Sequence, residues 1–172
     1  MSEQQEHHLA VAAGEEALWN QEFVTQLARA LHEYYRRQRA TAGDAAARSW
    51  EDLPTAFQAS NVDHAGHIKT KLTAIGCRAV FGNAPDEEPF GFTDDEVTRL
   101  ARMEHDRWVE ERLDGGWNPG LRDVEHLTTP SLVTWDRLSE EMRDVDRMFV
   151  RAIPEVLAEL GYRVVRSADA NS

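Results

Sequence analysis

The chain repeats itself, and that limits its fold more than any single motif does. Leu27-Ala28-Arg29 and Leu100-Ala101-Arg102 match at an offset of 73 residues. The same offset sets His32 against His105, Glu33 against Asp106, Tyr35 against Trp108 and Arg39 against Arg112. Farther along the offset is 85, pairing Trp50 with Trp135, Leu53 with Leu138, Ile68 with Ile153, Leu72 with Leu157 and Gly76 with Gly161. The difference between the offsets is an insertion in the second copy, where the glycine-rich stretch Gly115–Asp123 and the segment Thr128–Trp135 lie. Each copy reads as helix, variable loop, helix, short strand. A unit of this size cannot bury its apolar face alone, so two copies are expected to pack together about a pseudo-twofold axis. The short strands would pair and the long helices would cross. The expected fold is therefore mainly α, with two repeats (about residues 18–82 and 93–166) in one domain over 15–166, and a minimal two-stranded β element.

Hydrophobic spacing supports this reading. Leu18, Trp19, Phe23, Leu27, Leu31, Tyr34 and Tyr35 recur at helical intervals, which predicts a long amphipathic helix over Glu15–Arg39. Ser49 with Asp52 resembles a helix start, and a second helix is expected from about Asn61 to Ala74, stopping at Gly76. Cys77–Phe81 and Tyr162–Arg166 are candidate short strands. Thr93 with Glu96 forms a capping-box pattern that opens a helix to about Asp114. Trp135–Ala152 carries one more apolar stripe, and Pro154 either kinks that helix or begins another. Residues 1–14, with His7 and His8, read as a polar tail, as do residues 167–172; Thr41–Arg48 and Asn83–Phe92 read as loops.

Composition narrows the function. A formal net charge of −12 argues against a broad basic face for a long nucleic acid, but leaves room for a small anion in a local positive pocket. Nearly all the bases are arginine, Lys69 and Lys71 being the only lysines. One cysteine, Cys77, excludes an internal disulfide and a cysteine-based zinc cage, and its apolar surroundings mark a buried thiol. No apolar run has the length of a membrane span and the N-terminus is not signal-like, so no direct membrane insertion and a cytoplasmic location are expected.

The richest chemistry is in Glu104–Asp123. On a helix His105, Trp108 and Arg112 stand at i, i+3 and i+7 and project from one side. Gly115 and Gly116 end the helix, and Trp117 and Arg122 follow in a tight turn. Rings and cations so gathered suit a flat, anionic ligand. The competing reading has Trp108 and Trp117 in the core and the arginines solvated. Across the repeat, a planar group could lie between Tyr35 and Trp108, each ring worth about 1–3 kcal/mol of stacking; alternatively the two rings pack on each other. No HExxH, phosphate loop or GxGxxG pattern is present. His64 and His67 lack a partner motif and are expected on a solvated face, and Glu104, Glu110 and Glu111, near Asp106, in a mostly solvated charged stripe paired with neighbouring arginines.

Taken together, the pattern Leu-Ala-x-x-x-His-x-x-Trp (Leu100 to Trp108), the run Gly116-Trp117-Asn118-Pro119-Gly120-Leu121-Arg122-Asp123, Trp135-x-x-Leu138 and the closing Leu160-Gly161-Tyr162 resemble the RyR domain, the repeat named after the ryanodine receptor. The first copy resembles a more divergent partner, as in the bacterial tandem-repeat form. The resemblance implies a regulatory, non-catalytic module that binds an adenine nucleotide between its halves, with no resident cofactor and no metal. It implies a stacking role for Trp108 and Tyr35, a phosphate-side role for Arg122, and ligand approach by Asn61 and Asp146. Asp146 departs from the Asn common at that position; its anionic side chain disfavours a nearby phosphate but accepts from a ribose hydroxyl or an adenine amino group. With His105 and Arg112, these form the expected ligand-binding set for a phosphorylated, adenine-containing or ADP-ribose-like small molecule. The alternative is a ligand-free interaction subunit that docks on a channel or regulatory protein partner.

Overall fold

A computed structural model describes residues 17–39, 48–82 and 90–167. The expected tail over 1–14, most of both expected loops and the end of the C-terminal tail lie outside the described residues. By internal contacts the described residues form two compact units: those up to Phe90 together with those from Pro154 onward, and Gly91–Ile153.

The first unit begins with helix α1, Gln21–Arg39. The helix expected from Glu15 is interrupted: residues 17–18 are helical, the helix breaks at 19–20, and Asn20 then caps α1, its side-chain oxygen accepting from the Phe23 N–H at 3.0 Å. Phe23, Leu27, Ala28 and Leu31 form its buried face. A 3-10 turn over Trp50–Asp52 follows, capped by Ser49 and closed by the Leu53 N–H donating to the Trp50 carbonyl. Helix α2, Thr55–Gly66, begins directly after Pro54, and α3, Ile68–Ala74, continues beyond a break at His67. The helix expected from Asn61 therefore starts earlier and is divided. The longer helix puts His64 in line with Ile68 and Leu72, so His64 is buried rather than solvated. His67 is partly buried, with its Nδ1 3.1 Å from the Nζ of the fully buried Lys71.

Strand β1, Cys77–Phe81, pairs antiparallel with the later strand Tyr162–Arg166, Cys77 opposite Arg166 and Phe81 opposite Tyr162. Cys77, Ala79 and Val164 face inward, and the thiol is buried as expected. The chain enters each strand through a glycine at positive φ, Gly76 at 67° and Gly161 at 83°, where a Cβ would be strained. These two glycines are one repeat apart.

The second unit holds helix α4, Asp94–Asp114, with the capping box intact: Thr93 Oγ1 accepts from the Glu96 N–H at 3.3 Å, and the Thr93 N–H donates to Glu96 at 2.9 Å. Gly115 keeps φ at −77° and Gly116 takes the left-handed conformation at +80°, so the second glycine alone makes the turn. Two-residue strands β2, Asn118–Pro119, and β3, Thr128–Thr129, form a parallel ladder that sequence patterning does not predict. A second 3-10 turn, Trp135–Arg137, precedes helix α5, Glu140–Glu159, which runs through Pro154. The expected helix from Trp135 is thus a short turn, a break at Leu138 and then the helix proper. Tyr162–Arg166 is β4. The chain is mainly α-helical with a minimal β element, and no helix among the described residues is long and apolar enough to cross a membrane.

Candidate functional site

The same local device is built once in each unit. In the first, His32 Nε2 donates to the Arg48 carbonyl at 2.8 Å and its ring meets Trp50 edge-on at 6.0 Å. In the second, His105 Nε2 donates to the Val133 carbonyl at 2.7 Å and its ring meets Trp135 edge-on, also at 6.0 Å. Arg29 pairs with Glu51 at 2.9 Å, as Arg102 pairs with Asp136 at 2.6 Å. Gln58 Nε2 donates to the Trp50 carbonyl and Arg143 Nε to the Trp135 carbonyl. Every one of these pairs obeys the two sequence offsets. Each repeat thus docks a 3-10 turn carrying a buried tryptophan onto its long helix through a buried histidine.

The units differ in what surrounds that histidine. In the first, Asn61 is partly buried on α2 and donates to the Phe57 carbonyl at 2.8 Å, and Tyr35 is partly buried on α1. In the second, the position equivalent to Asn61 is Asp146, whose Oδ2 lies 3.5 Å from His105 Nδ1. A carbonyl and a carboxylate only accept, so both ring nitrogens of His105 face acceptors. Burial opposes the imidazolium, yet the Asp146 and Val133 contacts, with Asp106 nearby, outweigh it and raise the His105 pKa above its ordinary value.

His105, Trp108, Arg112 and Trp117 form a column. The imidazole stacks on Trp108 with centroids 6.1 Å apart and planes 24° from parallel. The Arg112 guanidinium lies 5.4 Å from the centre of the Trp108 ring and 4.9 Å from that of Trp117. His105 comes three residues before Trp108 and Arg112 four after, so the two cationic groups approach the indole from opposite ends of the helix turn. The reading in which the arginines are merely solvated is wrong for Arg112, whose side chain is only 15% exposed. Trp117 is partly buried and packs beside Gly115, as the ring that closes the turn over Arg112.

Arg107, which sequence reading left in the background, decides the charge balance here. It bonds Glu104 at 2.8 Å and Glu111 at 2.7 Å, so Glu104 is buried instead of standing in a solvated stripe. Burial alone would lower the Arg107 pKa; the two carboxylates more than offset it and raise it. Among the described residues the acid that Arg112 meets is Glu111, with an oxygen at 3.7 Å, beyond hydrogen-bond range. Burial lowers its pKa, Glu111 compensates in part, and the charges of Arg107 and Arg122 lower it further. Arg122 itself is exposed on the inserted loop, with no carboxylate at ion-pair distance among the described residues. Arg112 and Arg122 are thus neighbouring cations, the first with Glu111 at ion-pair but not hydrogen-bond distance.

Trp135 and the Val133 carbonyl were also missed as site elements. The signal was in the repeat, since Trp50 and Trp135 align, but only the fold shows that each tryptophan meets the repeat's histidine. Among curated proteins none matches this chain. The family model of the RyR domain matches residues 93–166, which contain the column, the Gly-Trp turn and the docked Trp135. Over that span the chain is similar to the RyR domain.

Proposed function

We propose that the chain is a non-catalytic regulatory module whose RyR segment takes a phosphorylated, adenine-containing small molecule, a nucleotide or an ADP-ribose-like compound. One observation carries this reading: a guanidinium held between two indoles, largely buried, with no carboxylate in hydrogen-bond range while Arg107 beside it takes two. A desolvated cation in that position gains from an incoming anion, because charge-assisted bonds to phosphate are the strong ones and arginine grips two oxygens at once. Arg122 supplies the second positive charge. Trp117 contributes aromatic surface against which a base can lie, and Asp146 is an acceptor for an amino or hydroxyl group.

Calorimetric titration with ATP, ADP, ADP-ribose and adenosine tests the reading. Phosphorylated members should bind more tightly than adenosine, and Arg112→Met should remove most of that difference. A panel that binds nothing, or binds adenosine as well as ATP, would end it. A second reading rests on Leu121, 89% exposed, with Leu113 and Val124 each more than half exposed. Apolar side chains so placed on an ordered, hydrogen-bonded loop are the kind of surface by which a channel or regulatory protein would be docked. Under that reading Leu121→Ser abolishes partner association and leaves nucleotide titrations silent.

A further inference from the structure

The second repeat has an ionisable pair where the first has none, and the pair lies directly under the aromatic column. We infer that His105 and Asp146 form a proton-controlled pair that couples anion affinity at Arg112 and Arg122 to pH. This rests on the ligand reading above for its functional consequence, though not for its structural part.

Both nitrogens of His105 face acceptors, Val133 O at 2.7 Å and Asp146 Oδ2 at 3.5 Å, and the ring is buried. Only the doubly protonated ring can donate to both. When the proton leaves, Nε2 keeps its N–H on the Val133 carbonyl, because that bond is the shorter and its acceptor has no other form. Nδ1 then turns a lone pair toward the Asp146 carboxylate, and the contact changes from attraction to repulsion. Two things follow at the column. Trp108 loses the cation stacked on it 6.1 Å away, and the ion pair, neutral overall while protonated, becomes a net negative charge. The charge that is lost is the imidazolium's, on His105, about 10 Å from Arg112 by the helical rise over seven residues. At that separation a unit charge changes anion affinity by about two- to tenfold, depending on how much water lies between.

Within Gly91–Ile153 the other charged groups around His105 do not reproduce this switch. Asp106, on the same helix, also favours the charged ring. Glu104 and Arg107 neutralise each other. Arg143 and Arg147 lie over the Trp135 ring, at 5.6 and 5.9 Å, on the element packed against His105, and keep their charge over the whole range. The first repeat is the internal contrast: Asn61 stands where Asp146 does, and an amide has no charge to pair.

The decisive experiment is a proton-carbon NMR titration of the intact chain from pH 5 to pH 9, beside Asp146→Asn and His105→Gln. His105 should titrate at higher pH in the wild type than in D146N, and the Trp108 indole signals should follow the His105 titration. Identical titration in the two proteins, or Trp108 signals that ignore His105, would overturn the pair. Coupling is read separately by titrating ADP-ribose, whose pyrophosphate does not change charge in this range. Affinity should fall about two- to tenfold from low to high pH in the wild type, make that fall at lower pH in D146N, and stay level in H105Q. Affinity that is level in the wild type refutes the coupling. If no panel member binds at any pH, the ligand reading fails and the coupling with it, while the NMR result still decides the pair.

Discussion

Removing Arg107 tests the charge bookkeeping on which the site depends. Its side chain is 12% exposed, and it holds Glu104, itself 7% exposed, through both carboxylate oxygens while also bonding Glu111. Arg107→Met keeps most of the volume and all of the helix propensity, so the loss is electrostatic. It strands a buried carboxylate, and breaking a buried pair by deleting one partner costs about 3–5 kcal/mol. With a urea m-value of about 2 kcal/mol/M for a chain of this size, the midpoint should fall by about 1.5–2.5 M. Circular dichroism at 222 nm through a urea series measures it. Glu104→Gln in the Arg107→Met background should recover a large part of the loss, because a neutral amide needs no counter-charge. The deficit of the single variant should also shrink in acid, where Glu104 takes up a proton. A deficit under about 1 kcal/mol, or a double variant no more stable than R107M, would refute the reasoning. The same variant bears on function: with Arg107 gone, Glu111 is released to Arg112, and anion binding should weaken.

Further perturbations are simpler. His105 has a raised pKa in the fold, so its contribution to stability is fully present below about pH 6.5 and is lost as pH rises through the folded value; unfolding free energies at pH 6 and pH 9 should differ more in the wild type than in D146N. Gly116→Ala places a Cβ in open space but at a φ of +80°, so only backbone strain opposes it, about 1 kcal/mol or a fall of about 2–4 °C in Tm. Thr93→Ala removes the side-chain acceptor of the Glu96 N–H and should cost about 1 kcal/mol in the same thermal assay. Trp135→Leu opens space beside the buried His105 ring and removes the surface on which Arg143 and Arg147 rest, so it should cost about 3 kcal/mol or more, measured by urea midpoint.

Much of this protein was legible as text. The repeat offsets, 73 and then 85, foretold paired structures that the fold builds twice, including the glycine that opens each strand. The capping box at Thr93, the strands β1 and β4 and the end of α4 follow from local chemistry, since each depends on a few neighbouring residues and their preferred dihedrals. The gathering of His105, Trp108 and Arg112 on one helix face was likewise fixed by helical period alone.

That acids and arginines pair on this face was legible, but which arginine takes which acid was not, because it depends on distances of an ångström between side chains on one crowded face. Sequence spacing made Glu104, Glu111, Arg107 and Arg112 equivalent members of a charged stripe. The fold gives Arg107 both acids, buries Glu104, and leaves Arg112 between two rings with a Glu111 oxygen at 3.7 Å, outside hydrogen-bond range. Sequence also offered Trp108 as an open stacking surface, whereas packing lays the chain's own imidazole and guanidinium against it. Nor could spacing show that Asp146, forty-one residues after His105, reaches its second nitrogen. Helical and strand periods determined which residues share a face; only tertiary packing decided which of them are desolvated and which charges remain uncompensated, and binding depends on those.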